Sequence, residues 1–369
     1  MLILQMNDPI DMNIPAKHKK LILIYLNYSS FVSSDFVNLS LFSQVTRYHF
    51  KTGEGLFSLA LQMMKQFIYL LFNIYRYDFL LIWFADTHAF FPVLTGKIFG
   101  KKTAIVIGGF DAVSIPDMKY GLYCANKPRQ VLGKFAIRNA TYLLPVDGSL
   151  IENTNFFADQ SGKGLPVGIR HFVKGIRGKI RVVPTGYDPD FWKPVAGVQR
   201  HPSVVTVGSI PDMKRWHLKG CSFLVRIAAA IPELSFHIYG VSDKMRVELE
   251  PLQLPGNVYL HGLVSPEELP AVYSSHLIYA QLSLTEGLPN VLCEAMLCGC
   301  IPVGSDVNGI PGVIGNKNLI IKEMNVRQAI DTLVYARSLA DRCGDHFRSR
   351  IIEKFPQVNR LNILRSLIG

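Results

Sequence analysis

Between Leu277 and Gly299 the sequence runs from an apolar strand into a glycine-proline turn and then a short helix, with a carboxylate on either side of the turn. Leu277-Ile-Tyr-Ala-Gln-Leu-Ser283 reads as a buried strand. Glu286-Gly-Leu-Pro-Asn290 reads as the turn, with Pro289 suited to a first helical position and Cys298-Gly299 as the helix stop. A strand, turn and helix in this order leave the first backbone N–H groups of the helix unpaired, with the positive end of its dipole behind them. Such a corner takes a diphosphate. A carboxylate at its mouth would repel phosphate. That assigns Glu286 to sugar hydroxyls and Glu294, inside the helix, to a ribose. Two glutamates on a merely solvated helix face would leave the Gly-Leu-Pro-Asn turn without a reason.

Glu286 to Glu294 resembles the E-x7-E motif of retaining GT-B glycosyltransferases, the family-4 or group 1 enzymes. Ala295-Met-Leu-Cys-Gly-Cys-Ile-Pro-Val-Gly304 is similar to that family's continuation into a buried strand. The resemblance runs from about Arg181 to about Gly315 and is looser over the N-terminal half. It implies an α/β chain of GT-B fold, with two doubly wound Rossmann-like domains facing each other across a cleft. The first domain would take the acceptor and the second a nucleoside-diphosphate sugar, as substrate and not as cofactor. By the same resemblance Glu286 contacts the donor sugar and Glu294 the ribose, while the turn of Gly287, Leu288, Pro289 and Asn290 holds the diphosphate through its backbone amides.

In that family an arginine commonly follows a strand glycine, and a lysine comes a few residues later before another glycine. Gly208-Ser-Ile-Pro-Asp-Met-Lys-Arg-Trp-His-Leu-Lys-Gly220 matches the second half in Lys219-Gly220. Ser209 stands where the arginine would be, which leaves Lys214 or Arg215 to take over. The chemistry asks for such groups. Two negative charges build on the leaving diphosphate, and no metal site is expected, so cations and oriented amides must stabilise them.

The family often places a histidine after the strand that reads here Ala104-Ile-Val-Ile-Gly-Gly-Phe-Asp111. Gly108 and Gly109 occupy that position and would admit an acceptor close to the backbone; Asp111 would accept from a hydroxyl, with ordinary turn chemistry as the alternative. His88, at the end of the preceding strand, is the candidate replacement for the histidine, against a capping or core reading. Ser29 and Ser30 follow the first strand, Lys20–Leu26, at the ligand-facing edge of a doubly wound sheet, and meet acceptor or phosphate oxygens or else cap a helix. Gly262, Leu263 and Val264, ending another strand, would touch the base through their backbone.

A length of 369 residues favours two domains. We place them at 1–195 and 196–345, with 346–369 as a last helix crossing back to the first domain. Six scattered cysteines lack C-x-x-C pairing, which fits a reducing cytoplasm. Cys298 and Cys300 read as buried, and Asp188-Pro-Asp190 as a turn, in preference to metal ligands. Met1–Met6 is too short for a signal segment. The apolar stretch Phe67–Phe84 is broken by Arg76 and Asp78, and reads as the end of a helix over about Glu54–Tyr75 followed by a buried strand, Tyr77–Phe84. Gln160–Arg177 lacks periodicity and reads as a mobile loop, and Pro266-Glu-Glu-Leu269 as a helix start with acids in its first turn.

Net charge is +11, with 22 Lys and Arg against 13 Asp and Glu in residues 1–195, and 17 against 15 thereafter. No zinc-finger or helix-turn-helix pattern supports nucleic acid as the partner. The excess in the first half suits docking on an anionic membrane surface, peripheral and on the inner face, or else a solvated basic face. The expected activity is retaining transfer of a sugar to a glycan or lipid-linked acceptor in cell-surface polysaccharide synthesis. The alternatives are a non-catalytic GT-B protein, which the absent arginine and histidine favour, and a sugar-nucleotide epimerase.

Overall fold

Short runs of β-branched and leucine residues, closed off by charged or turn residues, make the central strands. Leu21–Ile24, Phe79–Ile82 and Ala104–Ile107 are each fully enclosed, as parallel strands covered on both faces must be. A computed structural model describes residues 19–53, 55–159, 161–340 and 344–369. Met1–Met6, Glu54, Gln160 and Cys343, each named above, lie outside them.

In the first half, strands β1 (Lys20–Tyr25), β2 (Gln44–His49), β3 (Phe79–Trp83), β4 (Lys102–Ile107) and β5 (Tyr142–Pro145) alternate with helices. These helices are α1 (Ser30–Ser40), α2 (Gly55–Asn73), α3 (Thr87–Ile98) and α4 (Lys127–Asn139). A small antiparallel pair, β6 (Asn153–Asn155) and β7 (Leu165–Val167), precedes α5 (Ile169–Phe172) and β8 (Lys179–Ile180). The sheet is parallel in the order β2-β1-β3-β4-β5-β8, so its order reverses between β1 and β3.

The second half contains β9 (His201–Ile210), β10 (Phe236–Val241), β11 (Val258–Leu260), β12 (His276–Gln281), β13 (Ile301–Ser305) and β14 (Ile320–Ile321). Around them lie α6 (Met213–Leu218), α7 (Cys221–Ala230), α8 (Asp243–Leu249) and α9 (Leu269–Ser275). The chain then adds α10 (Asn290–Leu297), α11 (Gly309–Ile314), α12 (Val326–Ser338), α13 (Gly344–Lys354) and α14 (Gln357–Ile368). The second sheet is parallel in the order β11-β10-β9-β12-β13-β14, reversing between β9 and β12. Ligands of doubly wound sheets bind beyond the carboxyl ends of the strands at such reversals. The two sheets are the paired Rossmann-like layers of the GT-B fold.

Helix α14 packs on α1 of the first sheet. Arg360 forks onto Asp35 (Nε to Oδ1 2.6 Å, Nη2 to Oδ2 2.7 Å), and both side chains are buried. The same guanidinium donates to the carbonyls of Val183 and Pro184, and Trp83 Nε1 donates to Asp35.

Three local expectations give way. The stretch read as a mobile loop contains β7 and α5, joined by Gly168 at φ 108°, where a side chain would collide with the backbone of Ile151 and Glu152. Helix α9 starts only at Leu269, so Glu267 and Glu268 precede it; Glu268 accepts from the backbone N–H and hydroxyl of Ser265. Pro289 is the residue before α10 (ψ 92°), and Asn290 is its first helical one.

Candidate functional site

The reversal point of the second sheet and the segment after β4 of the first contribute to one small cavity of about 60 Å³ between the halves. It is lined by Gly108, Gly109, Phe110 and Tyr120 from the first half, and from the second by Arg215, Leu218, Lys219, Thr285, Glu286 and Gly287. Backbone meets backbone here. A methyl group on Gly287 would stand 2.3 Å from the carbonyl oxygen of Gly108, and one on Gly109 would stand 3.2 Å from the amide of Gly287. Gly109 also holds φ 129°, which a side chain resists.

Glu286 is fixed by a convergent set. Lys219 Nζ lies 2.5 Å from its Oε1, and the same oxygen accepts from Ser283 Oγ (2.9 Å) and Gln281 Nε2 (3.0 Å). Gln281 and Ser283 lie two apart on an extended segment and so point the same way. Asn308, in the left-handed region at φ 46°, donates to the Glu286 carbonyl at 2.5 Å. Lys219 follows α6 directly, and Gly220 after it has φ 76°, where a side chain would strike the Leu282 carbonyl.

Glu294 is on the buried side of α10. Its contact with a protein donor is the Tyr273 hydroxyl at 3.3 Å, a long bond for a carboxylate. Burial pushes its carboxyl up to about 7, with the Tyr273 hydroxyl pulling it back. The folded protein therefore holds a proton that the unfolded chain sheds above the ordinary carboxylate range. The associated stability is present below that range and lost as pH rises to about 7. Asp111, pushed up to about 6 by burial against its amide bonds, acts in the same direction. Glu294→Gln is expected to flatten part of the fall in unfolding free energy between about pH 5 and 7, leaving the Asp111 part. A denaturant series across that range measures it; an unchanged slope would mean that Glu294 is ionised while buried.

Helix α10 has no side-chain cap at its N-terminus. The Asn290 side chain faces away from the turn, because its Oδ1 accepts from Thr185 Oγ1 (2.7 Å) and Tyr187 OH (2.6 Å) of the segment joining the halves. Leu288 is buried, so the turn can offer a ligand its backbone but not that side chain.

The second-half cations differ in position. Arg215 lines the cavity with its guanidinium 5.5 Å from the Tyr120 ring. Lys214 reaches across instead and donates to the Lys119 carbonyl at 2.8 Å. Ser209 is exposed near the end of β9, whose Gly208 borders the Lys219 side chain. Gly262 ties back to Gly240 through its carbonyl, Leu263 is largely exposed and Val264 half-buried. These three lie outside the cavity lining.

Two first-half candidates turn inward. His88 is fully buried; its Nε2 donates to the Trp83 carbonyl at 2.8 Å, and burial lowers its pKa. Helix α3 carries the ring down into the core, so it does not replace a cleft histidine. Asp111 is equally enclosed and accepts from the amides of Ala85 (2.9 Å), Gly109 (3.0 Å) and Gly108 (3.1 Å). It shapes the Gly108–Gly109 bend and does not face a substrate hydroxyl. Ser29 immediately precedes α1 without capping it, and its Oγ is buried without a partner; Ser30 is exposed. Neither lines the cavity.

Sequence reasoning missed Tyr120, Gln281, Ser283 and Asn308. The signal for Gln281 and Ser283 was present, since polar side chains at alternate positions leaving a buried strand have to meet something. Tyr120 carried none, being in an irregular stretch between β4 and α4. Among the described residues no cluster of three or more His, Cys, Asp or Glu could hold a metal ion. Cys298 and Cys300 are buried, the latter donating to the Tyr273 carbonyl.

Residues 201–336 match the family model described as glycosyl transferases group 1. A human phosphatidylinositol N-acetylglucosaminyltransferase subunit is 30% identical over 162 residues, 42% of this chain and 32% of that protein. The Arabidopsis thaliana counterpart is 26% identical over 153 residues, 39% of this chain and 33% of that protein. The chain thus spans about a third of the length of the curated relatives it matches. Among solved structures, sucrose-phosphate synthase of Thermosynechococcus elongatus superposes with a TM-score of 0.71 at 16% identity, over 95% of this chain and 98% of that one. Anabaena Alr3699/HepE in complex with UDP-glucose gives 0.69 at 14% identity, over 95% and 99%. From His201 to Ala336 this chain is similar to a group 1 glycosyl transferase domain, and the whole has the GT-B fold.

Proposed function

We propose that the protein transfers a sugar, with retention of anomeric configuration, from a UDP-linked donor to a glycan or lipid-linked acceptor. The observation that carries this reading is the Lys219–Glu286 pair, held beside the uncapped N-terminus of α10 in a cavity shared by both halves. Glu286 orients the donor sugar, and the ribose hydroxyls supply the donors that the Glu294 carboxyl lacks. Lys219, Arg215 and the amides of the Gly287–Asn290 turn take up the charge of the leaving diphosphate, a role that elsewhere falls to a metal. A uridine donor is supported by the UDP-glucose complex of the Anabaena neighbour. The names of the curated relatives support an N-acetylglucosamine donor and a lipid acceptor.

Ser209 in place of a cation, with His88 buried, favours a second reading: a GT-B protein that binds nucleotide without turnover. Ligand-observed NMR against a panel of nucleoside-diphosphate sugars, followed by an assay of nucleoside-diphosphate release, separates the two. Transfer predicts that one UDP-sugar binds, that Glu294→Ala weakens it at least about tenfold, and that release continues with a chelator present. Binding without release moves the assignment to the second reading, and a free epimer without acceptor to an epimerase. Silence from folded protein across the panel would overturn the donor assignment.

A further inference from the structure

Helix α2 is apolar on the wrong side for a helix that only covers a sheet. Its buried residues are Gln66 and Leu70. Phe57, Leu61, Met64, Ile68, Phe72 and Tyr75 are all exposed, Phe57 to 84% and Phe72 to 71%. They recur every three or four residues, so they form one stripe along about 28 Å of helix. Solvated helices carry polar residues there. Gly55–Arg76 is also long and apolar enough to cross a membrane by length and composition. It does not cross one, because α2 connects β2 to β3, which both belong to the first sheet. Gln66 donates to the His88 carbonyl, and the Tyr69 and Tyr77 hydroxyls meet at 2.7 Å. The helix is pinned flat against α3.

Cations frame the stripe. Lys51 precedes it, Lys65 borders it and Arg76 follows it, all exposed. The end of α2 leads to the starting edge of the parallel strands, where Lys20, Lys102 and Lys179 are the first residues of β1, β4 and β8. Asp78 is the acid at that edge, and it accepts from the Lys20 backbone. The opposite end of α2 starts from the carboxyl edge of the sheet, the edge that carries Gly108. An uninterrupted apolar stripe flanked by exposed cations is the pattern of a helix lying in a lipid interface. A second copy of this chain would bring like charge against like.

We propose that α2 docks this protein on an anionic lipid bilayer. The Phe57–Tyr75 stripe enters the headgroup boundary and the basic edge meets lipid phosphates, which lays the rim of the cleft along the membrane. Resting on the transfer reading, this geometry suits an acceptor anchored in that surface; the docking itself does not depend on transfer.

Flotation with two kinds of vesicle tests it at low salt, one of phosphatidylcholine alone and one of equal parts phosphatidylcholine and phosphatidylglycerol. The wild-type chain should float with the anionic vesicles and lose most of its binding as salt is raised. Phe57→Ser with Phe72→Ser should lower the partition coefficient at least about tenfold, with the thermal transition unchanged because both side chains are exposed. Independently, Lys102→Glu with Lys179→Glu should lower it about fivefold or more per charge. Wild type that ignores anionic vesicles overturns the proposal, as does equal binding by the Phe57/Phe72 variant. Self-association that this variant abolishes, without vesicle binding, would assign the face to a second copy and overturn it too. None of these readings uses the sugar donor, so loss of transfer and loss of docking remain distinct.

Discussion

Lys219→Ala is expected to lower donor turnover by about 10²- to 10³-fold, with most of the loss in kcat. Its ammonium group lies 2.5 Å from Glu286 Oε1 at the edge of the cavity, so it is in place before a donor arrives. Charge grows on the diphosphate as the sugar leaves, so a cation there stabilises the transition state more than the bound donor. Removing it has a second cost, because Glu286 would keep only Ser283 and Gln281 as side-chain donors and would be freer to repel the phosphates. Lys219→Arg should restore part of the rate by keeping charge without the same reach. Release of nucleoside diphosphate at saturating donor measures this. A variant that loses affinity but keeps kcat would place Lys219 on the bound donor and not on the departing group.

Arg360→Ala is expected to cost about 3–5 kcal/mol of stability, the largest effect anticipated outside the cavity. Asp35 would be left as a fully enclosed carboxylate whose remaining side-chain donor is Trp83 Nε1, and the Val183 and Pro184 carbonyls would each lose a donor. Leaving a buried charge unpaired is more harmful than never having placed it there. Asp35→Leu together with Arg360→Leu should therefore recover much of the loss. Denaturant unfolding of the two single variants and the double variant gives the coupling directly. If the costs of the single variants simply add, the pair is not acting as a unit.

What could be read in advance was whatever depends on neighbours along the chain. The run from Leu277 to Gly299 announced a strand, a turn and a helix because apolar periodicity, a glycine and a proline act locally. The alternation of apolar runs with helical intervals likewise announced two parallel sheets. What could not be read was direction in space. His88 and Asp111 were correctly placed near the carboxyl ends of strands, yet the core claims one ring and three amides claim the other carboxylate. The first depends on how helix α3 is seated; the second rests on the local Gly108 and Gly109 amides, which turn chemistry anticipated, and on the distant Ala85 amide, which it did not. Tyr120 reaches the cavity from a segment without regular periodicity, so no pattern pointed to it. Helix α2 was legible as a helix, but its exposed face was not, since apolar composition alone does not say which side meets protein.

The polypeptide passes between the two halves twice, once through Arg181–Arg200 and again where α13 gives way to α14. The passages touch: the Tyr187 amide donates to the Phe355 carbonyl, and Tyr187 pairs with Pro356. One flexible connection would leave the halves joined like a ball and socket. Two adjoining ones, with the buried guanidinium holding α14 to α1, leave any relative movement of the halves fewer directions than a single connection would. Gly108 and Gly287 meet across the two halves, with no room for a methyl group between them.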